Sequence, residues 1–252
     1  MIPYWMSRTQ LLLGDEKMMQ LMHKNVLVVG LGGVGGICAE MIARAGVTKM
    51  TIVDGDTVDL SNGNRQVAAL HSTEKQFKAE VMAARLRDIN PDIELTVIAE
   101  FIQTEKTVEI VETGNYDCVV DCIDTLTPKV WLIKTCVDRK IPIVSSLGAG
   151  GKFDPSQIRV ADISESYKCK LARYVRKYLH KDGITTGVTV IFSPEEVDET
   201  KIVVTEKAFP KKSIIGTISY MPAIFGCLAA SAVLQKLMMQ PAFEKLTTME
   251  PA

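Results

Sequence analysis

Four short segments hold residue types that could do chemistry together, and they follow one another along the chain: Gly30-Leu31-Gly32-Gly33-Val34-Gly35, Asp54-Gly55-Asp56, Ser61-Asn62-Gly63-Asn64-Arg65-Gln66 and Asp121-Cys122-Ile123-Asp124. In a Gly-x-Gly-x-x-Gly turn the missing side chains let backbone N–H groups approach a phosphate, and the N-terminus of the next helix adds a favourable dipole. Gly30, Gly32 and Gly35 fill the three slots, with Gly33 between them. By itself that turn says only that a nucleotide binds. Asp54 lies 24 positions past Gly30, where an acidic side chain accepts hydrogen bonds from ribose hydroxyls in NAD and ATP enzymes alike. Asp56 is either a second polar contact or a turn residue.

The segment from Ser61 to Gln66 narrows the choice, because nicotinamide-dependent folds have no standing need for an arginine and two amides just past the second strand. Arg65 offers a planar, permanently charged fork suited to phosphate oxygens, while Asn62 and Gln66 can orient ribose or base edges. A bland surface loop would explain that composition but not its place after Asp54. Farther on, Lys78 has a stem long enough to bring an ammonium to β- and γ-phosphates, with Lys75 as the competing choice. Asp121 and Asp124 flank the carboxyl end of a predicted strand, where ligands sit in open α/β sheets. Asp124 can hold Mg2+ on the phosphates or orient an attacking carboxylate, since magnesium takes hard oxygen ligands and usually only one or two from protein. A helix cap is its structural alternative. Together the last three segments point away from a redox cofactor and toward ATP used to activate a carboxylate by adenylation.

Such residues need an alternation of strands and helices to position them. Residues 26–29 are an apolar run ending at Gly30, as expected of a strand buried on both sides. A helix follows over 34–45, closed by Gly46 in the C′ position. Further strands are expected at 50–53, 95–99, 118–120 and 143–145. A helix is expected over 73–89, with Phe77, Val81 and Ala84 at helical spacing and Asn90-Pro91 as its stop. Thr127-Pro128 reads as the N-cap and N1 of another helix, ending near Lys140. Past residue 163 the alternation gives way to a basic helix over 167–181, β-rich segments near 189–192 and 201–205, and an apolar helix over 220–239. The expected architecture is a Rossmann-like α/β fold: a mostly parallel sheet, helices on both faces and an antiparallel C-terminal extension. Residues 1–252 are taken as one domain, with 1–163 binding the nucleotide and 164–252 forming the substrate-facing part.

Bulk properties exclude little but exclude it clearly. With 252 residues, 47% of them hydrophobic, the chain can bury a full core. The 29 basic and 30 acidic side chains nearly cancel, so a nucleic-acid or membrane partner would have to use a local patch. Six cysteines without a Cys-x-x-Cys pair, and a start without a basic segment followed by an apolar run, predict a reduced, cytoplasmic protein. The 220–239 segment is long enough to span a bilayer, but Pro222 near its start and Gln235-Lys236 near its end favour a buried helix. In the basic helix, Lys168, Lys170, Arg173, Arg176, Lys177, His180 and Lys181 oppose Leu171, Tyr174, Val175, Tyr178 and Leu179. That cationic face either tracks RNA phosphates or is merely solvated. Cys169, between two lysines, is either a thiol of depressed pKa or an incidental cysteine.

The residues so far resemble the E1-like ThiF/MoeB superfamily of adenylating enzymes over most of the chain. Arg8-Thr9-Gln10-Leu11-Leu12-Leu13-Gly14, Ser61 to Gln66, Asp124-Thr125-Leu126-Thr127-Pro128-Lys129 and Leu147-Gly148-Ala149-Gly150-Gly151 look most like its tRNA threonylcarbamoyladenosine dehydratase branch. The resemblance implies an arginine finger at Arg8 reaching the partner subunit's ATP, a phosphate arginine at Arg65, a phosphate lysine at Lys78, a ribose acid at Asp54 and a magnesium-linked acid at Asp124. It therefore implies a homodimer, with ATP and Mg2+ as cofactors. It also implies a monovalent cation (Na+ or K+), placed near the 147–151 loop without assignable ligands, and tRNA carrying N6-threonylcarbamoyladenosine as substrate. Sulfur-transfer proteins of the cysteine desulfurase or SufE-like kind are a further implied partner. Two departures from the wider superfamily matter. The two Cys-x-x-Cys pairs that hold a structural zinc in sulfur-carrier-activating members are absent, so zinc is not expected. The crossover region, roughly 184–213, also lacks the cysteine used for thioester or persulfide transfer, which weighs against the alternative of a MoeB/ThiF-like enzyme that adenylates a ubiquitin-like sulfur carrier. A nicotinamide oxidoreductase and a non-catalytic tRNA-binding module are the remaining alternatives.

Overall fold

Val26 and Val28 project to one side of their strand and Leu27 and Val29 to the other, and all four are buried, which requires cover on both faces. A computed structural model describes residues 2–204 and 213–238. The chain opens with two short helices, α1 (Ser7–Leu13) and α2 (Asp15–Met22). It continues through β1 (Asn25–Val29), α3 (Gly35–Arg44), β2 (Lys49–Val53), α4 (Lys78–Ile89), β3 (Glu94–Ile98), α5 (Thr104–Thr113), β4 (Cys118–Asp121), α6 (Leu126–Asp138) and β5 (Ile143–Ser146). Then come β6 (Arg159–Asp162), α7 (Lys170–Lys181), β7 (Thr189–Phe192), the pair β8 (Ile202–Val204) and β9 (Ser213–Ile215), and α8 (Tyr220–Leu237).

The sheet runs β3-β2-β1-β4-β5-β7-β6, parallel throughout except for β6, which lies antiparallel on β7. Because β2 and β3 lie on one side of β1 and β4 and β5 on the other, strand order reverses between β1 and β4, where open α/β sheets bind ligands. Register sets the level of the site. Val53, Val29 and Asp121 stand abreast, so Asp54, Gly30 and Cys122 leave the sheet together. Helices α3, α4 and α8 cover the Val26 and Val28 face, and α5, α6 and α7 cover the Leu27 and Val29 face. The antiparallel extension is the β8–β9 pair.

Several elements differ from expectation for local reasons. The helix expected over 73–89 begins only at Lys78, because residues 75–77 hydrogen-bond to the strand-like segment at Val58: Lys75 N–H donates to the Val58 carbonyl at 2.9 Å and Val58 N–H to the Gln76 carbonyl at 2.8 Å. Its buried side is Lys78, Ala79, Met82, Ala83 and Leu86, while Phe77 is exposed. Helix α6 starts at Leu126 with Thr125 at its cap, which leaves Pro128 in the first turn, where no intrahelical N–H is needed. Helix α7 starts three residues late, after Lys168 adopts φ +52° and Cys169 forms the cap. The strand at 189–192, placed outside the alternation by sequence, is inserted between β5 and β6 in the main sheet. Helices α1, α2 and α5 and strands β6 and β9 have no counterpart among the expected elements. Helix α8 is apolar and long enough to cross a membrane, with a mean hydropathy of 1.3, and half of it is buried within this fold, against α3 and the sheet. Thr205 and Met239, the far ends of two expected elements, lie outside the described residues.

Candidate active site

The turn after β1 is shaped by what surrounds it. Gly30 has φ +87°, donates its N–H to the Val53 carbonyl at 2.8 Å, and leaves no room for a side chain, since a Cβ there would lie 2.8 Å from the Cys122 carbonyl oxygen. At Gly35 a Cβ would lie 1.7 Å from the Gly30 oxygen. Gly33 is packed against Pro222 of α8 and the Arg65 carbonyl. Gly32 differs, because the nearest atom to a Cβ there would be Gln66 Nε2 at 3.7 Å. Protein packing alone would accept alanine at Gly32, so glycine there keeps space clear in front of the first N–H groups of α3, which have no intrahelical partners.

A matched pair of substitutions separates these roles. Gly35→Ala is expected to cost about 3 kcal/mol by overpacking, seen as a melting temperature lower by roughly 6–12 °C. Gly32→Ala is expected to melt within about 2 °C of the unaltered protein while losing about tenfold or more in ATP affinity by calorimetry. Equal ATP affinity in Gly32→Ala would show that nothing needs the cleared space.

Asp54 follows β2 and joins the first two segments. Its Oδ2 accepts the Leu31 N–H at 2.6 Å and its Oδ1 the Asp56 N–H at 2.8 Å. Burial pushes its carboxyl above the ordinary aspartate value, opposed by those two N–H groups and by the Lys78 ammonium. Each oxygen keeps further acceptor capacity for a ligand hydroxyl. Lys78, the first residue of α4, is almost wholly buried and its Nζ lies 3.0 Å from Asp56 Oδ2. Lys75 is exposed and left-handed in backbone. The structure thus separates the two candidate lysines, and it gives Asp56 an ion-pair role.

The 61–66 segment is a compact turn. Asp59 caps it by accepting the Ser61 N–H at 2.8 Å, and the Asn62 carbonyl accepts the Arg65 and Gln66 N–H groups at 3.0 and 2.9 Å. The Asn62 side chain is taken up by that cap, its Oδ1 3.4 Å from the Asp59 N–H. Arg65 Nη1 donates to the Ser61 carbonyl at 3.0 Å and to Asn64 Oδ1 at 2.8 Å, leaving three of the five guanidinium N–H bonds for other acceptors. Gln66 Oε1 is buried with no hydrogen-bond partner, and its amide lies over Gly32. An orphaned buried acceptor beside a cleared glycine marks a position where a donor on a ligand would be stabilised.

At the end of β4, Asp121 and Lys129 form an ion pair with no exposure of either side chain, Nζ to Oδ2 at 2.5 Å. Lys129 Nζ also donates to the Ser146 carbonyl at 2.8 Å, Ser145 Oγ donates to Asp121 Oδ2 at 2.6 Å, and Ile123 N–H donates to Asp121 Oδ1 at 3.0 Å. Sequence reasoning gave Lys129 no role, although its spacing with Leu132, Ile133 and Cys136 places it on the buried stripe of α6. Asp124 is exposed in the turn between β4 and α6. Among the described residues no group of three or more His, Cys, Asp or Glu side chains could hold a metal alone. One carboxylate at a strand end fits Mg2+, which leaves its other positions to phosphates and water. Burial and the neighbouring Asp121 push the Cys122 thiol up to about 12, so the cysteine nearest these loops is a neutral thiol at physiological pH.

Two other predicted residues stand apart. Arg8 is exposed on α1, which is anchored where Met6 packs on Gly46 beyond the far end of α3, about 15 Å of helix from the glycine turn. Cys169 is buried, its Sγ accepting the Ala172 N–H as the cap of α7, and its flanking lysines pair instead with Glu196 and Glu199.

Relatives share both the sequence and the fold. A tRNA threonylcarbamoyladenosine dehydratase of Bacillus subtilis is 44% identical over 200 residues, 79% of this chain and 77% of its own. One of Escherichia coli is 36% identical over 94% of this chain and 96% of its own. The crystal structure of E. coli tRNA N6-threonylcarbamoyladenosine dehydratase, TcdA, in complex with ATP superposes with a TM-score of 0.82 at 35% identity, covering 92% of this chain and 93% of that one. With residues 6–250 matching the ThiF family and the glycine turn, Asp54, Lys78, Arg65 and Asp124 gathered at the carboxyl ends of β1, β2 and β4, the chain belongs to the ThiF family.

Proposed function

We propose that this protein is an ATP-dependent dehydratase of the threonylcarbamoyl group of N6-threonylcarbamoyladenosine in tRNA. It is supported above all by the meeting of four groups at one sheet edge: a cleared glycine turn, the buried Lys78 with Asp54 and Asp56, the Arg65 and Gln66 turn, and Asp124. That edge offers cations to a triphosphate and acceptors to a ribose, with no ionised thiol beside it. The relatives of the same length act by name on this tRNA nucleoside.

In the proposed reaction the substrate carboxylate attacks the α-phosphorus of ATP and pyrophosphate leaves. An internal nitrogen or oxygen of the threonylcarbamoyl group then attacks the activated carbonyl and expels AMP, so the carboxylate loses an oxygen as the ring closes and the proton goes to solvent. Lys78 and Arg65 neutralise phosphate charge, Asp54 receives the ribose, and the glycine turn holds the phosphates against α3. Mg2+ at Asp124 supplies charge neutralisation when bound. A homodimer would let Arg8 serve the partner's site, in keeping with its distance from its own and with the exposed Tyr4, Leu11 and Leu12 beside it. The proposal extends to a cytoplasmic location and to a monovalent cation near the 147–151 loop. Of the described cysteines only Cys227 is exposed, and sulfur-transfer partners stay outside the proposal.

Mass spectrometry of tRNA carrying the modified nucleoside, incubated with and without ATP, tests this directly. The expected product is lighter by one water and appears only with ATP, alongside AMP. AMP formation driven by a sulfur-carrier protein and not by tRNA would replace the proposal with the carrier-activating alternative.

A further inference from the structure

Helix α7 carries an unusual distribution of charge that the adenylation site does not use. Ala172, Val175 and Leu179 are buried against the sheet. Arg173, Lys177 and Lys181 recur every four residues and so form one stripe along the exposed side. Tyr174 and Tyr178 flank the stripe with 43% and 42% of their surface exposed. The Arg173 guanidinium carbon lies 5.2 Å from the Tyr174 ring centre, and Lys181 Nζ lies 5.2 Å from that of Tyr178.

Neighbouring cations are neutralised, and among the described residues the stripe is not. Lys168 and Lys170 pair with Glu196 and Glu199, and Lys134 of α6 pairs with Asp182 beyond the end of α7. Among the described residues no carboxylate forms an ion pair with Arg173, Lys177 or Lys181. At the start of the helix the order of charges also works against stability, whereas His180 and Lys181 suit its last turn. No acidic residue occupies the first turn, where Lys170 and Arg173 face the positive end of the helix dipole. A face selected for stability alone would carry carboxylates there and would not expose two tyrosines.

The stripe also points somewhere. The start of α7 touches the loop after β5, where a Cβ on Gly148 would lie 4.0 Å from both Cys169 Sγ and Leu171 Cβ. That loop leaves the sheet at the same edge as the glycine turn and Asp124. From Arg173 to Lys181 the stripe extends about 12 Å, leading away from the candidate site. Spaced cations with rings between them suit a backbone of phosphates whose unstacked bases lie on aromatic faces.

We propose that the exposed face of α7 is the docking track for a single-stranded loop of the substrate tRNA, with Arg173, Lys177 and Lys181 on its phosphates and Tyr174 and Tyr178 under its bases. The proposal rests on tRNA being the substrate, and its test reads binding without turnover so that the two can fail separately. Fluorescence anisotropy of labelled tRNA carrying the modified nucleoside is followed in the full chain between 50 and 200 mM KCl, without ATP. The expected result for R173A/K177A/K181A is a loss of about tenfold or more in affinity and a salt dependence shallower by about 3 in log–log slope. K49A/R87A/K106A, which removes three surface cations elsewhere, should change neither. Y174A/Y178A should weaken binding at unchanged slope, and Y174F/Y178F should restore it. Melting curves and ATP calorimetry show that the variants are folded. Unchanged affinity and slope in the α7 triple variant would overturn the proposal, as would an equal loss in the control triple, or vesicles rich in phosphatidylserine binding α7 in place of tRNA. Loss of tRNA binding in a protein that dehydrates nothing would instead sink the proposed reaction and leave the docking track standing.

Discussion

Lys78→Met is expected to lower the rate of pyrophosphate release by about 10²–10³, the loss seen when one positioned charge donor is removed from a reacting oxyanion. Methionine keeps the buried stem of the side chain, so packing at the start of α4 is largely retained and the charge alone is removed. Two effects then add. The triphosphate loses its buried cation, and Asp54 and Asp56 are left without the ammonium that separates them from incoming negative charge. Without Lys78, burial acts on Asp54 against less opposition, so Asp54 takes up its proton at a higher pH than before. Residual ATP affinity in the variant is therefore lost earlier on acidification and is partly recovered at alkaline pH, which calorimetry across pH can follow. Lys75→Met, at an exposed residue, should stay within about twofold. A Lys78→Met protein that releases pyrophosphate at an undiminished rate would remove the lysine from the phosphate site.

The second large effect concerns stability. Lys129→Met leaves Asp121 charged, fully buried and without its cation, a change that costs about 3–5 kcal/mol and a melting temperature roughly 6–20 °C lower. The double variant Asp121→Asn with Lys129→Met buries no charge and should recover a large part of that loss. A thermal double-mutant cycle measures the coupling directly. Because Asp121 Oδ1 also fixes the Ile123 N–H, the single variant loosens the turn that carries Asp124, and activity should fall beyond the loss of folded protein. Melting within 2 °C of the unaltered chain would show that the pair contributes nothing.

What the sequence made legible was local. Gly30, Asp54 and Asp124 follow apolar runs, and each strand end delivers the next residue to the same sheet edge, so strand-turn-helix signals sufficed to place them. Resemblance alone favours Lys78 over Lys75, and the structure distinguishes them by burial. What stayed hidden was nonlocal. A lysine in a helix reads as solvated until the Asp121 opposite it is known, and the position of β7 between β5 and β6 is a matter of strand order, on which hydropathy is silent. The start of α4 was misplaced because Val58 competes for the backbone groups of residues 75–77, a contact across a turn that periodicity does not register. Gln66 was expected to orient a ligand, but that its oxygen is buried and unsatisfied depends on Gly32 being near, which only the packed loops reveal.

The place of β7 has a consequence for synthesis. Strand β6 is made first but pairs only with β7, which emerges after α7. At translation speeds of about 5–20 residues per second, β6 waits for roughly 1–5 s with its hydrogen-bonding edge bare, while β5 also lacks its outer neighbour. A nascent chain of this architecture thus exposes two open strand edges on the ribosome at once, and slow codons between residues 163 and 189 would prolong the interval in which they can pair with the wrong chain.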